Sequence, residues 1–146
     1  MLERINKAIV DAMKAKDTLR LSTLRMLKGA VDLERINKKL DSLSDEDIIV
    51  IIGKQIKTRK ESIAEFEKGN RTDLIEKTEN EINILNEFMP EMLSEEEIVK
   101  IVTDIINSIN ATSIKDMGSV MKEASTKLKG KADMSLVSQI IKNKLN

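Results

Sequence analysis

The chain has 146 residues, 40% hydrophobic and 34% charged, with 25 basic side chains balanced by 25 acidic ones. That length suits one domain or two small modules, the apolar content excludes a disordered chain, and the zero net charge excludes the strong field of a general DNA coater. Cysteine, histidine, tyrosine and tryptophan are absent and there is a single proline, which excludes disulfides, catalytic triads built on His or Cys and zinc sites built on those ligands, and leaves helices as the economical architecture.

In chain order, Leu2, Ile5, Ile9 and Met13 recur at helical spacing and predict a short amphipathic helix ending near Lys14-Ala15-Lys16. Asp17 offers an N-cap to a second helix, with Leu24, Leu27 and Val31 on one ridge and Leu19, Met26, Ala30 and Leu33 on an adjoining one. Two ridges predict a wide buried stripe that fades around Asn37 to Leu40. Ser44 with Asp47 resembles a capping box and starts a long third helix, striped by Ile48, Ile49, Ile52, Ile56, Ile63 and Phe66. Gly69 is expected to stop it, and Thr72 or Asn70 to cap a fourth helix whose Ile75, Ile82, Leu85 and Met89 continue the apolar face until Pro90. A connection this short predicts that the third and fourth helices form an antiparallel hairpin.

Pro90 to Leu93 marks the best boundary, and Ser94 with Glu97 forms a capping box that opens a fifth helix lined by Ile98, Ile101, Val102, Ile105 and Ile109. Asp116 is expected to cap a sixth helix, with Met117, Val120, Met121, Ala124 and Leu128 inward and Gly130 just past its end. Asp133 caps a seventh, striped by Leu136, Val137, Ile140, Ile141 and Leu145. The expected fold is therefore all-α. Residues 1–90 form a larger part of about four helices, and residues 94–146 a small three-helix module that should lose stability easily. No internal repeat, coiled-coil heptad run or low-complexity tract is evident. No apolar run approaches the roughly 20 residues of a membrane span and the first twenty residues lack a signal-peptide core, so a cytoplasmic protein without a membrane partner is expected.

Charge is unevenly spread: residues 1–40 carry a net +5, 41–93 a net −6, 94–114 a net −3 and 115–146 a net +4. The acidic clusters Asp45-Glu46-Asp47 and Glu95-Glu96-Glu97 have the carboxylates of an Mg²⁺ or acid-base site, but each opens a helix, where the dipole already stabilises negative charge. No catalytic residue, metal site or cofactor is assigned. The segment Lys127 to Asp133 is a tight basic turn in which Lys127, Lys129 and Lys131 lie close to the start of the last helix. Such a turn can hold a phosphate, or its lysines can simply be solvated charges beside a helix C-terminus. Lys122 and Lys142 extend the set of nucleic-acid-binding candidates. The scarcity of aromatic rings argues against recognition by base stacking.

Five stretches, in the same order and spacing, resemble the GatB/YqeY family. They are Leu24-Arg25-Met26-Leu27, Lys54 to Ser62, Pro90 to Glu97, Asp116-Met117-Gly118 with Val120-Met121, and Leu128 to Asp133. The chain is similar specifically to the small stand-alone YqeY-like branch. The resemblance implies a helical N-terminal part and a three-helix C-terminal part, and a relationship to the tail of the GatB component of the tRNA-dependent amidotransferase, which helps hold the tRNA. It also implies the label of carbon-nitrogen ligase with glutamine as amido donor, although nothing here matches the catalytic domains of that enzyme. Two positions depart from the family pattern: Lys131 stands where Arg is frequent, and Met134 where Gly commonly follows Ala-Asp. Lysine keeps the charge but loses bidentate phosphate geometry. The resulting expectation is a non-catalytic accessory protein that binds tRNA or a tRNA-linked enzyme through its C-terminal module. The alternative is a protein-interaction adaptor or self-associating scaffold using an apolar stripe of the third and fourth helices.

Overall fold

The computed structural model describes residues 1–146 and contains seven α-helices and no strand. In order these are α1 (Leu2–Ala15), α2 (Thr18–Asn37), α3 (Asp45–Lys68), α4 (Thr72–Asn86), α5 (Glu95–Ile109), α6 (Met117–Leu128) and α7 (Met134–Leu145), with a single 3-10 turn at Ile114–Asp116 before α6. The chain divides into two compact units, Met1–Met89 and Pro90–Asn146, each with its own apolar core.

In the first unit, Ile5 of α1, Leu24, Leu27 and Val31 of α2, Ile48, Ile52 and Ile56 of α3, and Ile82 and Leu85 of α4 meet in one cluster with Phe88. Each such side chain removed from water stabilises the fold by about 1.5–3 kcal/mol. The α3–α4 pair is antiparallel: Arg59 Nε donates to Glu81 Oε2 at 2.9 Å across the pair, and the two residues, 22 apart in sequence, straddle the connection at Asn70. Arg59 is only 7% exposed. Its guanidinium is satisfied on several sides, donating also to Gln55 Oε1 at 2.7 Å and lying 4.0 Å from Met26 Sδ.

Several local expectations change. The second ridge of α2 is not buried, since Met26 and Leu33 are 59% and 60% exposed. Only the ridge of Leu24, Leu27 and Val31 faces the core, because α2 packs through one side. Gly69 does not take the left-handed conformation. Asn70 does, at φ 54°, and its N–H bonds the Glu67 carbonyl while that of Arg71 reaches the Phe66 carbonyl. Asn70 is thus spent on ending α3. Neither it nor Thr72 caps α4, whose N-cap position is Arg71, with no side-chain capping bond. Arg71 instead pairs with Asp73 at 3.2 Å. Finally, α4 stops at Asn86 rather than running to Pro90. Glu87, Phe88 and Met89 follow with N–H groups bonded three residues back, a tightened turn that suits the approach to a proline.

In the second unit, Ile98, Val102 and Ile105 of α5, Val120, Ala124 and Leu128 of α6, and Val137, Ile140, Ile141 and Leu145 of α7 close around Ala132. The box at the start of α5 is reciprocal: Glu97 N–H donates to Ser94 Oγ at 3.2 Å, and Ser94 N–H donates to Glu97 Oε2 at 2.9 Å. Asp116 acts differently from a cap on α6. Its carboxylate makes no capping bond to that helix and instead accepts from the N–H groups of Thr112, at 2.9 Å, and Ser113, at 3.3 Å, folding the preceding loop onto the 3-10 turn.

Candidate nucleic-acid interface

Backbone bonds hold the turn between α6 and α7. The Lys129 N–H donates to the Ser125 carbonyl, and both the Lys131 and Ala132 N–H groups donate to that of Leu128. Gly130 makes this possible: it is buried and adopts φ 75°, where a Cβ is strained. The turn is also anchored from outside, because the Leu93 N–H donates to the Lys131 carbonyl at 2.9 Å. Asp133 then accepts from the Ser135 N–H at 2.9 Å and starts α7.

All five candidate lysines are exposed. The structure brings together Lys127, Lys129 and Lys131 on this turn and separates the other two from it. Lys122 lies on α6 about 7.5 Å back along the axis from Lys127 and rotated by about 140°, at a rise of 1.5 Å and 100° per residue. It borders a different feature, a surface cavity of about 370 Å³ lined also by Ile109, Ala111, Asp116, Ser119 and Glu123. Lys142 belongs to the last turn of α7, about 12 Å along that helix from Met134. Lys144 shares that turn and is exposed, a cation absent from the sequence-derived set although its place near the chain end is visible there.

The electrostatics of the turn are mixed. The bond between Leu93 and Lys131 sets the lysines beside the first turn of α5, where Glu95, Glu96 and Glu97 cluster. Of these carboxylates, Glu97 is engaged with Ser94 N–H. This juxtaposition joins residues far apart in sequence, so spacing alone does not reveal it. Elsewhere in the unit, the two backbone N–H groups that bond Asp116 hold its carboxyl below the ordinary value of 3.8. No group of carboxylates in the chain is arranged to hold a metal ion, and no helix is long and apolar enough to cross a membrane.

The sequence model of the Yqey-like protein family matches residues 2–145, which is nearly the entire chain. The chain belongs to the YqeY-like family. Among its relatives is the altered inheritance of mitochondria protein 41, mitochondrial, of Kluyveromyces lactis, 37% identical over 112 residues that cover 73% of this chain and 60% of that protein. The protein of the same name in Lachancea thermotolerans is 32% identical, over 75% of this chain and 59% of its own length. That of Pyrenophora tritici-repentis is 29% identical over 97% of this chain and 78% of its length. The YqeY-like chain thus spans about 60% of the length of the first two relatives.

Proposed function

We propose that this YqeY-like protein is a non-catalytic accessory factor, acting in the cytoplasm, that binds tRNA, or tRNA carried on an enzyme, through the turn between α6 and α7. The observation that carries the reading is the fixed display of three exposed lysines, Lys127, Lys129 and Lys131, on a turn held by backbone bonds and by Leu93. Because the turn is already ordered, little conformational entropy is lost when phosphates dock. The relationship to the amidotransferase tail that the sequence resemblance implies favours tRNA over other polyanions. Lys122 and Lys142 are assigned supporting contacts on a longer nucleic-acid path, since each is displaced from the turn.

The test is equilibrium binding of the full chain to unmodified tRNA at low salt, comparing the natural protein with Lys127→Gln/Lys129→Gln/Lys131→Gln. Charge-assisted phosphate contacts contribute roughly 1 kcal/mol or more each, so the triple variant should bind at least about a hundredfold more weakly. Glu95→Gln/Glu96→Gln should bind more tightly, because it removes negative charge from the helix start that the Leu93–Lys131 bond brings near the turn. Equal affinity of the triple variant and the natural protein would overturn the assignment. An adaptor reading is favoured by one observation, and on a different surface from the α3 and α4 stripe expected for it: the exposed large apolar side chains of the Met1–Met89 unit lie on α1 and α2 and just beyond α2.

A further inference from the structure

Met26, Leu33 and Ile36 are 59%, 60% and 59% exposed on α2, the Met26 sulfur also lying 4.0 Å from Arg59 Nη2 on α3, and Leu40, 43% exposed, follows the left-handed Lys39 that turns the chain away from the helix axis. With Gly29 these positions are spaced alternately three and four residues apart, the spacing of a coiled-coil seam, which Gly29 hides from a purely apolar count. The seam lies on the side of α2 opposite Leu24, Leu27 and Val31, and apart from the contact of Met26 with Arg59 the apolar core does not account for it. Nothing lies within 4 Å of a Cβ placed on Gly29, leaving an open gap in the middle of an apolar ridge.

We propose that this face is a self-association surface on which a second copy of the chain docks its own α2 in antiparallel register. Two features select that occupant and that direction. A two-fold axis near residue 28 sets Met26 of one copy over the Gly29 gap of the other, Leu33 over Ser22, and Ile36 against Leu19, so large side chains meet small ones in the two inner layers. Ser22 tolerates such cover because its hydroxyl already donates to the Leu19 carbonyl at 3.1 Å. The same axis sets Arg25 of each copy against Asp32 of the other on one flank. Asp32 makes no ion pair within the chain, and Arg25 has only a contact at 3.4 Å to Met13 Sδ to exchange. The opposite flank presents Ala30 and Asn37, which introduce no like-charge clash. A parallel pairing would instead stack Gly29 on Gly29, leaving a void, and would oppose Arg25 to Ala30 and Asp32 to Asn37.

Sedimentation equilibrium of the full chain between micromolar and near-millimolar concentration tests the proposal. The natural protein is expected to form a dimer and no higher species. Arg25→Asp and Asp32→Arg should each weaken dimerisation by about tenfold or more, since each opposes like charges twice across the axis, while the double exchange Arg25→Asp/Asp32→Arg should restore it to within about threefold. Leu33→Asp, at a solvent-exposed site that does not threaten folding, should give a monomer with an unchanged helical spectrum. A natural protein that stays monomeric, because the face is covered within the chain or belongs to a different protein, would overturn the proposal. So would failure of the double exchange to restore the dimer.

Discussion

Left-handed residues decide how five of the seven helices end, and four of those positions are not glycine. Lys16, Lys39, Asn70 and Asn110 adopt φ between 54° and 56° after α1, α2, α3 and α5, each accompanied by paired N–H bonds back to the last helical turn. Gly130 takes the same role after α6. Such a conformation costs a non-glycine residue on the order of 1 kcal/mol. Lys39→Gly should therefore raise the unfolding free energy by about 0.5–1 kcal/mol, whereas Gly130→Ala should lower it by about 1 kcal/mol or more, both read from urea melts. Asp116 adds a pH-dependent element. Its folded-state carboxyl titrates below 3.8, so near that pH the folded chain binds fewer protons than the unfolded one and stability rises with pH. The contribution is complete above the ordinary value and is lost as pH falls through the lower folded-state value. Asp116→Asn should remove that part of the acid sensitivity, so that the difference in melting temperature between the variant and the natural protein narrows between pH 6 and pH 3.

At the scale of elements, Arg59 is the side chain on which the hairpin most depends, since it joins Gln55, Glu81 and Met26 on three helices. Arg59→Ala leaves the Glu81 carboxylate, 19% exposed, without its partner and should destabilise by about 2–4 kcal/mol, somewhat less than a fully enclosed pair. Arg59→Met/Glu81→Leu should recover much of that loss, because apolar replacements need no desolvated charge. Sequence legibility divides along the same lines. Helix starts at Asp17, Ser44 and Ser94 are readable because the capping oxygen and the N–H it accepts lie three residues apart. The core stripes of α3, α5, α6 and α7 are readable because burial follows the 3.6-residue period. Buried Arg59 is not, since its charge reads as a solvated face until α2 and α4 are set around it. The same holds for Met26 and Leu33, whose apolar character says nothing of which side of α2 meets the core. Within the candidate site, the lysine turn and Gly130 are local and visible, while the bond from Leu93 that puts Glu95 and Glu96 beside them is long-range.

For the molecule as a whole, two separate apolar cores and a zero net charge mean that neither unit is a broadly cationic body. The proposed nucleic-acid binding must then come from a small number of placed charges and not from the field of the entire chain. That makes its salt dependence diagnostic. Counterion release gives a log-log slope of about −0.7 to −0.9 per phosphate neutralised, so the three lysines of the turn should contribute about −2 to −3 to the slope for tRNA. The decisive measurement is the tRNA affinity of the full chain from about 20 to 200 mM salt, repeated with Lys127, Lys129 and Lys131 replaced by Gln. The proposed interface predicts a slope that becomes shallower by about 2 to 3 in the triple variant, the remainder coming from Lys122 and Lys142. Absence of binding at the lowest salt, or a slope that the triple replacement leaves unchanged, would contradict it.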